Sequence, residues 1–356
     1  MGQRHVIRAL RGQRAQRSPV GRTMPVAEWT ALGMAVLFLT AALPSAIAQT
    51  IAANRADTAE QDDRSDQIQD QEDAIDAAQD TAQAQQAAAQ AVPAAPREFS
   101  FRVNVPLSYN SNPEEAPSGG PAALEADPEI ELGWTRSLTS VPLKITARVR
   151  ADTDRYVNVP QAGEDEASGS VKAAYYDADN DQAWAPFVSY KGSTIFDPTF
   201  SPWTETRNDF ALGFDKYVNF DGDFNLLPPS QRSRAVAVWS FGVSAFVQRR
   251  LRTPGPDSTA LYLVPSVTYA LAEDWIVSLF VNTRERWFDS VKSPTSTTSR
   301  RDFEIEPILT IAYDPKFPGA PQIALQASFE RRSSNLPDKS WNQWTIGPVL
   351  TASWRF

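Results

Sequence analysis

The stretch Trp275-Ile-Val-Ser-Leu-Phe-Val-Asn-Thr-Arg-Glu-Arg-Trp287 alternates apolar and polar groups with a period of two. Trp275, Val277, Leu279, Val281 and Trp287 fall on one face, and Ser278, Asn282, Arg284 and Arg286 on the other, the pattern of a strand between two different surroundings. Its two tryptophans point the same way and stand twelve residues apart. That is roughly 40 Å of extended chain, or roughly 28 Å along the bilayer normal for a strand tilted by about 45°. Aromatic girdles on the two sides of a bilayer have this separation, so the segment reads as a strand that crosses a membrane.

The end of the chain repeats the arrangement. Trp344 and Phe356 are again twelve residues apart, with Ile346, Leu350, Ala352 and Trp354 on the same face and Gln343, Thr345, Thr351, Ser353 and Arg355 on the other. Comparable alternation marks residues 99–109, 129–136, 143–152, 170–176, 184–191, 209–215, 235–249, 260–269, 302–313 and 322–332. The expected fold is all-β, an up-and-down antiparallel transmembrane β-barrel of about twelve strands. The stretch 216–234 is too long for a turn and has room for a hairpin around Asp221-Gly222-Asp223, which sets bounds of about ten and fourteen strands. Alternate links, 110–127, 153–168, 192–205, 250–258, 288–301 and 333–340, are longer and rich in Pro, Gly and Ser, as outer loops are; 138–142, 177–182, 271–274 and 314–320 suit short periplasmic turns. A soluble sandwich also alternates, and the paired girdle residues argue against it.

The chain closes Ala352-Ser353-Trp354-Arg355-Phe356, an alternating aromatic run with a terminal Phe. Together with the strand pattern this resembles the outer-membrane β-barrel superfamily of Gram-negative bacteria, and Tyr109-Asn110-Ser111-Asn112-Pro113 resembles the opening hairpin of porin-like members. The resemblance implies a place in the cell outer membrane, contact with its lipid and lipopolysaccharide, and an assembly signal in Trp354 and Phe356 read by the barrel assembly machinery. It implies a porin-like channel for small solutes, with an autotransporter-like translocator, or a structural protein with a periplasmic interaction arm, as the alternatives.

Residues 1–48 read as an export signal. Six arginines from Arg4 to Arg22 form a basic region, residues 31–43 are apolar but shorter than a membrane span, and Ala46-Ile47-Ala48 is a small-x-small cleavage site; Met24 is a second candidate start. Removing this segment, with six arginines against Glu28, takes the formal charge from −9 to −14, which argues against a nucleic-acid partner. Residues 49–96 are mostly Ala, Gln and Asp, with ten acids between Asp57 and Asp80. Such a linker is helical or disordered and is expected on the periplasmic side. Ile68, Ile75, Ala82 and Ala89 recur every seven residues, the spacing of a coiled-coil seam that would join three copies, although Gln71 and Gln85 are polar. The stretch has no period-two segment, so a chain beginning at Arg97 is expected to insert and resist denaturation as the longer one does; failure would make the arm a plug. Crosslinked trimers that vanish with the arm would support the seam, and monomers throughout would exclude it.

With no cysteine, disulfides and thiolate chemistry are out, and the one histidine, His5, lies in the export signal. Outer-membrane hydrolases use histidine as general base, so no catalytic centre, cofactor or metal site is expected. Lys144, Lys172 and Lys191 alternate with apolar residues as lumen groups do, and the pairs Glu129 with Glu131 and Glu304 with Glu306 are same-face neighbours on strands. Asp177-Ala178-Asp179-Asn180-Asp181 lacks the Gly and distal Glu of a calcium loop and reads as a polar turn. The apolar run 196–203 either folds into the barrel mouth or packs on lipid A.

The same parity yields the candidate site. If Val277, Leu279 and Val281 face lipid, then Arg284, Arg286, Glu304, Glu306, Glu330 and Arg332 all face inward, a ladder of three acids and three bases on one lumen wall. It serves either as a self-neutralised brace or as a selectivity filter.

Overall fold

The computed structural model describes residues 98–356 apart from 139, 178, 199, 230–236, 273, 293–297 and 316–320. The export signal, the arm and its heptad therefore lie outside the described residues. The strands, in chain order, are β1 (Phe99–Asn110), β2 (Ala123–Ala126), β3 (Glu129–Leu138), β4 (Leu143–Thr153), β5 (Arg155–Tyr156), β6 (Asp165–Tyr175) and β7 (Ala185–Phe196). They continue with β8 (Trp203–Phe220), β9 (Trp239–Thr253), β10 (Ser258–Ala272), β11 (Trp275–Lys292), β12 (Ser299–Tyr313), β13 (Gln322–Ser334) and β14 (Trp341–Arg355).

Twelve long strands run antiparallel to their chain neighbours, and β14 pairs with β1 to close the ring. The short β2 and β5 pair with each other and carry the sheet beyond β3 and β4, past breaks at Asp127-Pro128 and Asp154. β8 is longer than the alternation suggests and runs on to Phe220. The hairpin entertained at Asp221-Gly222-Asp223 is a tight turn. Phe220 bridges Leu226 there and no further strand pair follows among the described residues. Asn225 donates to Asp221 through its side chain and its backbone, which holds that exposed carboxyl below its ordinary range. At 177–182 the backbone amides of Asp179 and Asn180 donate to the Asp177 carboxylate, a polar turn as expected.

The outside is apolar where a soluble protein would be polar. Leu132, Val149, Leu212, Val247, Leu263, Leu309, Leu325 and Leu350 are all exposed, and together they form a band far larger than the patches soluble monomers show. Aromatic rings bound it. Trp275 meets Tyr313 at 5.1 Å and Trp239 meets Tyr269 at 4.3 Å on the short-turn side, and Tyr109 meets Trp344 at 5.2 Å toward the long loops. Among the described residues no helix is long and apolar enough to cross a membrane; the strands do so.

The closing seam is made by the chain's two sheet ends. Phe356 and Phe99 exchange backbone hydrogen bonds of 3.0 and 3.2 Å, and the rings of Phe101 and Trp354 stack at 5.5 Å. Higher on the seam the pairing lapses opposite Gly347-Pro348, because Pro348 has no N–H to give. A Cβ on Gly347 would overlap the Leu107 carbonyl oxygen, so glycine lets the two backbones approach there.

Candidate functional site: paired charges lining the lumen

The register between β11 and β12 sets Arg284 opposite Glu304 and Arg286 opposite Asp302, while Glu306 faces Asn282. The next strand sets Arg332 opposite Glu304. Glu304 therefore sits between two guanidiniums. It forms an ion pair with Arg284 and accepts from Arg332 Nε at 2.7 Å. Arg332 also reaches Glu115 at 3.5 Å, and Gln343 of β14 donates to Glu330 at 3.2 Å. Arg284, Arg286, Glu304, Glu306, Glu330 and Arg332 are all buried in the barrel interior. Alternation predicts this for β11 and β12: with Val281 and Ile305 outward, residues an odd number of positions from them on the same strand turn in.

The network extends well past that wall. Asp302, held by Arg300 at 2.6 Å, takes the position opposite Arg286 that sequence reasoning gave to a glutamate. Further round the ring Arg102 of β1 bonds Glu129 at 2.7 Å and Glu131 at 3.3 Å, and Arg150 bonds Asp152 at 3.1 Å. Lys191 lies 3.5 Å from Glu166. Arg250 makes a two-pronged pair with Asp209 at 2.9 and 3.0 Å, and Glu205 accepts from both Arg207 and Arg252 at 2.5 Å. Arg102, between outward Phe101 and Val103, was legible by the parity rule. Arg250 and Arg252 were not, because a basic residue, Arg249, also occupies the outer face there, bonded to Thr259 at 3.1 Å and Asp289 at 2.5 Å, and breaks the apolar alternation.

Such pairs are charge-assisted and, where two-pronged, directional. They do not simply add stability, since two buried ions lose their hydration before attracting each other. What they fix is register, because a slip of one residue would turn every charge into lipid. The side chains also fill space. Arg207, Arg250 and Arg284 are at most 1 % exposed, whereas Arg148 and Lys172, nearer the short-turn end, have side chains 22 % and 30 % exposed. The interior is thus more accessible to solvent near that end than at Arg207, Arg250 and Arg284. Lys172 lies 2.9 Å from Asp215 and 4.1 Å above the Phe187 ring; Phe187, Phe246 and Tyr262 form an aromatic ledge on the inner wall, with rings 6.0 and 4.4 Å apart. Lower down the interior is polar, with hydroxyl pairs such as Thr268 with Ser278 and Ser328 with Thr345. No group of three or more metal-ligating side chains converges among the described residues.

Trp354 and Phe356 project outward, 44 % and 65 % exposed, on the lipid side of the closing strand. Phe196 and Phe200 of the apolar outer link contact each other at 5.7 Å; Phe200 is exposed and its backbone N–H donates to Asp165 at 2.6 Å.

A closed, twelve-stranded antiparallel barrel with an apolar exterior, girdles of aromatic rings and a charged interior defines an outer-membrane β-barrel protein. No family model matches the chain, and no curated protein does. Solved barrels do. One is an outer membrane channel from Pseudomonas putida, 9% identical with a TM-score of 0.46, covering 73% of this chain and 97% of that one. The translocator domain of the autotransporter NalP from Neisseria meningitidis is 11% identical, TM-score 0.38, over 78% of this chain and 96% of that one. LpxR from Salmonella typhimurium is 9% identical, TM-score 0.37, over 70% of this chain and 99% of that one. Likeness of this grade concerns barrel architecture and assigns no activity.

Proposed function

We propose that this protein is a porin-like channel of the outer membrane that passes small hydrophilic solutes along its internal charges. The observation that carries the reading is the chemistry of the lumen. Toward the short-turn end Arg148 and Lys172 stay partly exposed, and beyond them the interior carries fixed charges of both signs. Alternating charges bind ions of either sign weakly and in several places, which is what conduction requires. The near-complete burial of Arg207, Arg250 and Arg284 favours a second reading, a sealed barrel whose charges brace the strands. Reconstitution of the full-length protein in a planar bilayer separates the two. Discrete conductance steps are expected of the channel; a folded barrel that gives none under any applied potential overturns it and leaves the brace.

A further inference from the structure

The lumen charges are not evenly neutralised. Where β2 meets β5 the register pairs Glu125 with Tyr156 and Ala126 with Arg155, and where β3 meets β4 it pairs Glu129 with Asp152. Thr153 N donates to the Pro128 carbonyl between them at 3.2 Å, so the register runs on unbroken. It places Asp127 directly opposite Asp154, at the breaks of both strands and on the face that carries Glu125, Glu129 and Asp152. Directly opposed residues have Cβ atoms about 4.5–5.5 Å apart, and like charges there repel.

The cations nearby are engaged elsewhere. Arg155 donates to Asp165 at 2.6 Å and to the backbone carbonyls of Asp154 and Glu164 at 2.7 and 3.2 Å. Arg102 holds Glu129 and Glu131, and Arg150 holds Asp152. The charged groups acting most strongly on Asp154 are Glu125, Asp127 and Glu164, all acidic. Asp154 is 2 % exposed, yet neither of its carboxylate oxygens accepts a hydrogen bond, and Asp127 Oδ1 is likewise buried without one. The Tyr156 hydroxyl lies beside both Asp154 and Glu125. A buried carboxylate without a donor, set opposite a half-buried one whose Oδ1 also lacks a donor, is costly unless a cation or a proton joins them.

We propose that Asp127 and Asp154 together bind a divalent cation, Ca2+ by preference, clamping the outer extensions of β3 and β4. Ca2+ suits the site because it takes six to eight oxygens in flexible geometry and accepts waters among them. That flexibility is needed here, since among the described residues no three carboxylates enclose a metal by themselves. The site's occupancy is independent of whether the barrel conducts.

The test uses full-length protein refolded in detergent, melted in CaCl2 and in EDTA and titrated with CaCl2 by calorimetry, beside the variants D127N, D154N and D127N/D154N. The parent should melt higher in Ca2+ than in EDTA. In the double variant that difference should vanish, and its EDTA melting point should lie above the parent's because the repulsion is gone. The acidic stretch 57–80 is common to both proteins, so a binding isotherm present in the parent and absent from the variant reports the barrel site. A parent melting point indifferent to Ca2+ and EDTA overturns the proposal, as does Ca2+ binding that survives both Asn substitutions. Stabilisation by acid alone, with no response to Ca2+, assigns a shared proton to the pair and overturns it too. Either single Asn variant removes half the charge and carries the same comparison if the double variant does not fold.

Discussion

Deleting Phe356, or replacing it with Asp, is expected to abolish delivery of the barrel to the outer membrane in cells while leaving refolding in detergent nearly intact. The two halves of this expectation have different physical sources. In the folded barrel Phe356 contributes a ring stacked on Phe99 at 6.2 Å and a pair of backbone hydrogen bonds to the same residue, at the very edge of the seam. An Asp keeps the backbone bonds. It loses an aromatic pair worth about 0.5–1.5 kcal/mol and places at the interface a charge that costs about 1 kcal/mol or less there. A barrel held by twelve strand pairs tolerates that loss, so purified F356D should refold with its melting point a few degrees lower. Assembly in cells is expected to respond to a different property, the aromatic pair Trp354 and Phe356, exposed on the lipid side. Immunoblotting of outer-membrane fractions measures it. Normal yield of F356D in that fraction would show that the ending is no assembly signal, and equal failure in detergent would show that the defect is in closure itself.

Replacing Glu304 and Glu306 together by Gln is expected to destabilise the barrel and, if it conducts, to shift its selectivity toward anions. Glu304 is the shared acceptor of Arg284 and Arg332, and both arginines are almost fully buried. Removing one member of a buried pair costs about 3–5 kcal/mol, since the remaining charge keeps its lost hydration without its partner. Gln retains the shape and one acceptor oxygen, so the lower end of that range applies to Glu304. Glu306 faces Asn282 across the strands and adds further net positive charge when neutralised. A conducting lumen then holds more uncompensated arginine, and the reversal potential in a salt gradient moves in the anionic direction. A sealed brace instead loses thermal stability with no change in ion flux. A reversal potential and melting point both equal to the parent's would mean that these charges neither brace nor filter.

The strands were legible because a membrane barrel is solvated differently on its two faces. Lipid outside and polar groups inside force a period of two on each crossing, and the aromatic girdles mark its length. Strand ends were less legible. β8 extends to Trp203 and Phe220, beyond 209–215, because Lys216 and Tyr217 blur the alternation where the barrel wall leaves the apolar band. The inward direction of Arg284, Glu304 and Arg332 also follows from parity alone, since a side chain's face on a strand is fixed by its distance from a neighbour whose face is known.

Parity does not reveal which charge meets which. Sequence permits two registers for β11 against β12, and only hydrogen bonding around the closed ring selects the one that places Asp302, and not Glu306, beside Arg286. The same holds elsewhere around the ring, where Arg102, Arg250 and Arg252 find partners on neighbouring strands through registers that depend on the whole circumference. The meeting of Asp127 with Asp154 is the extreme case. Twenty-seven residues separate them along the chain, and in sequence each sits in a polar link with nothing to connect it to the other. The amino-acid sequence by itself determined a membrane barrel, its strand faces and its exposed aromatic ending, because those depend on local alternation between lipid and water. The pairing of its interior charges, and the meeting of Asp127 with Asp154, were decided by closure of the sheet, which brings distant strands into a single register.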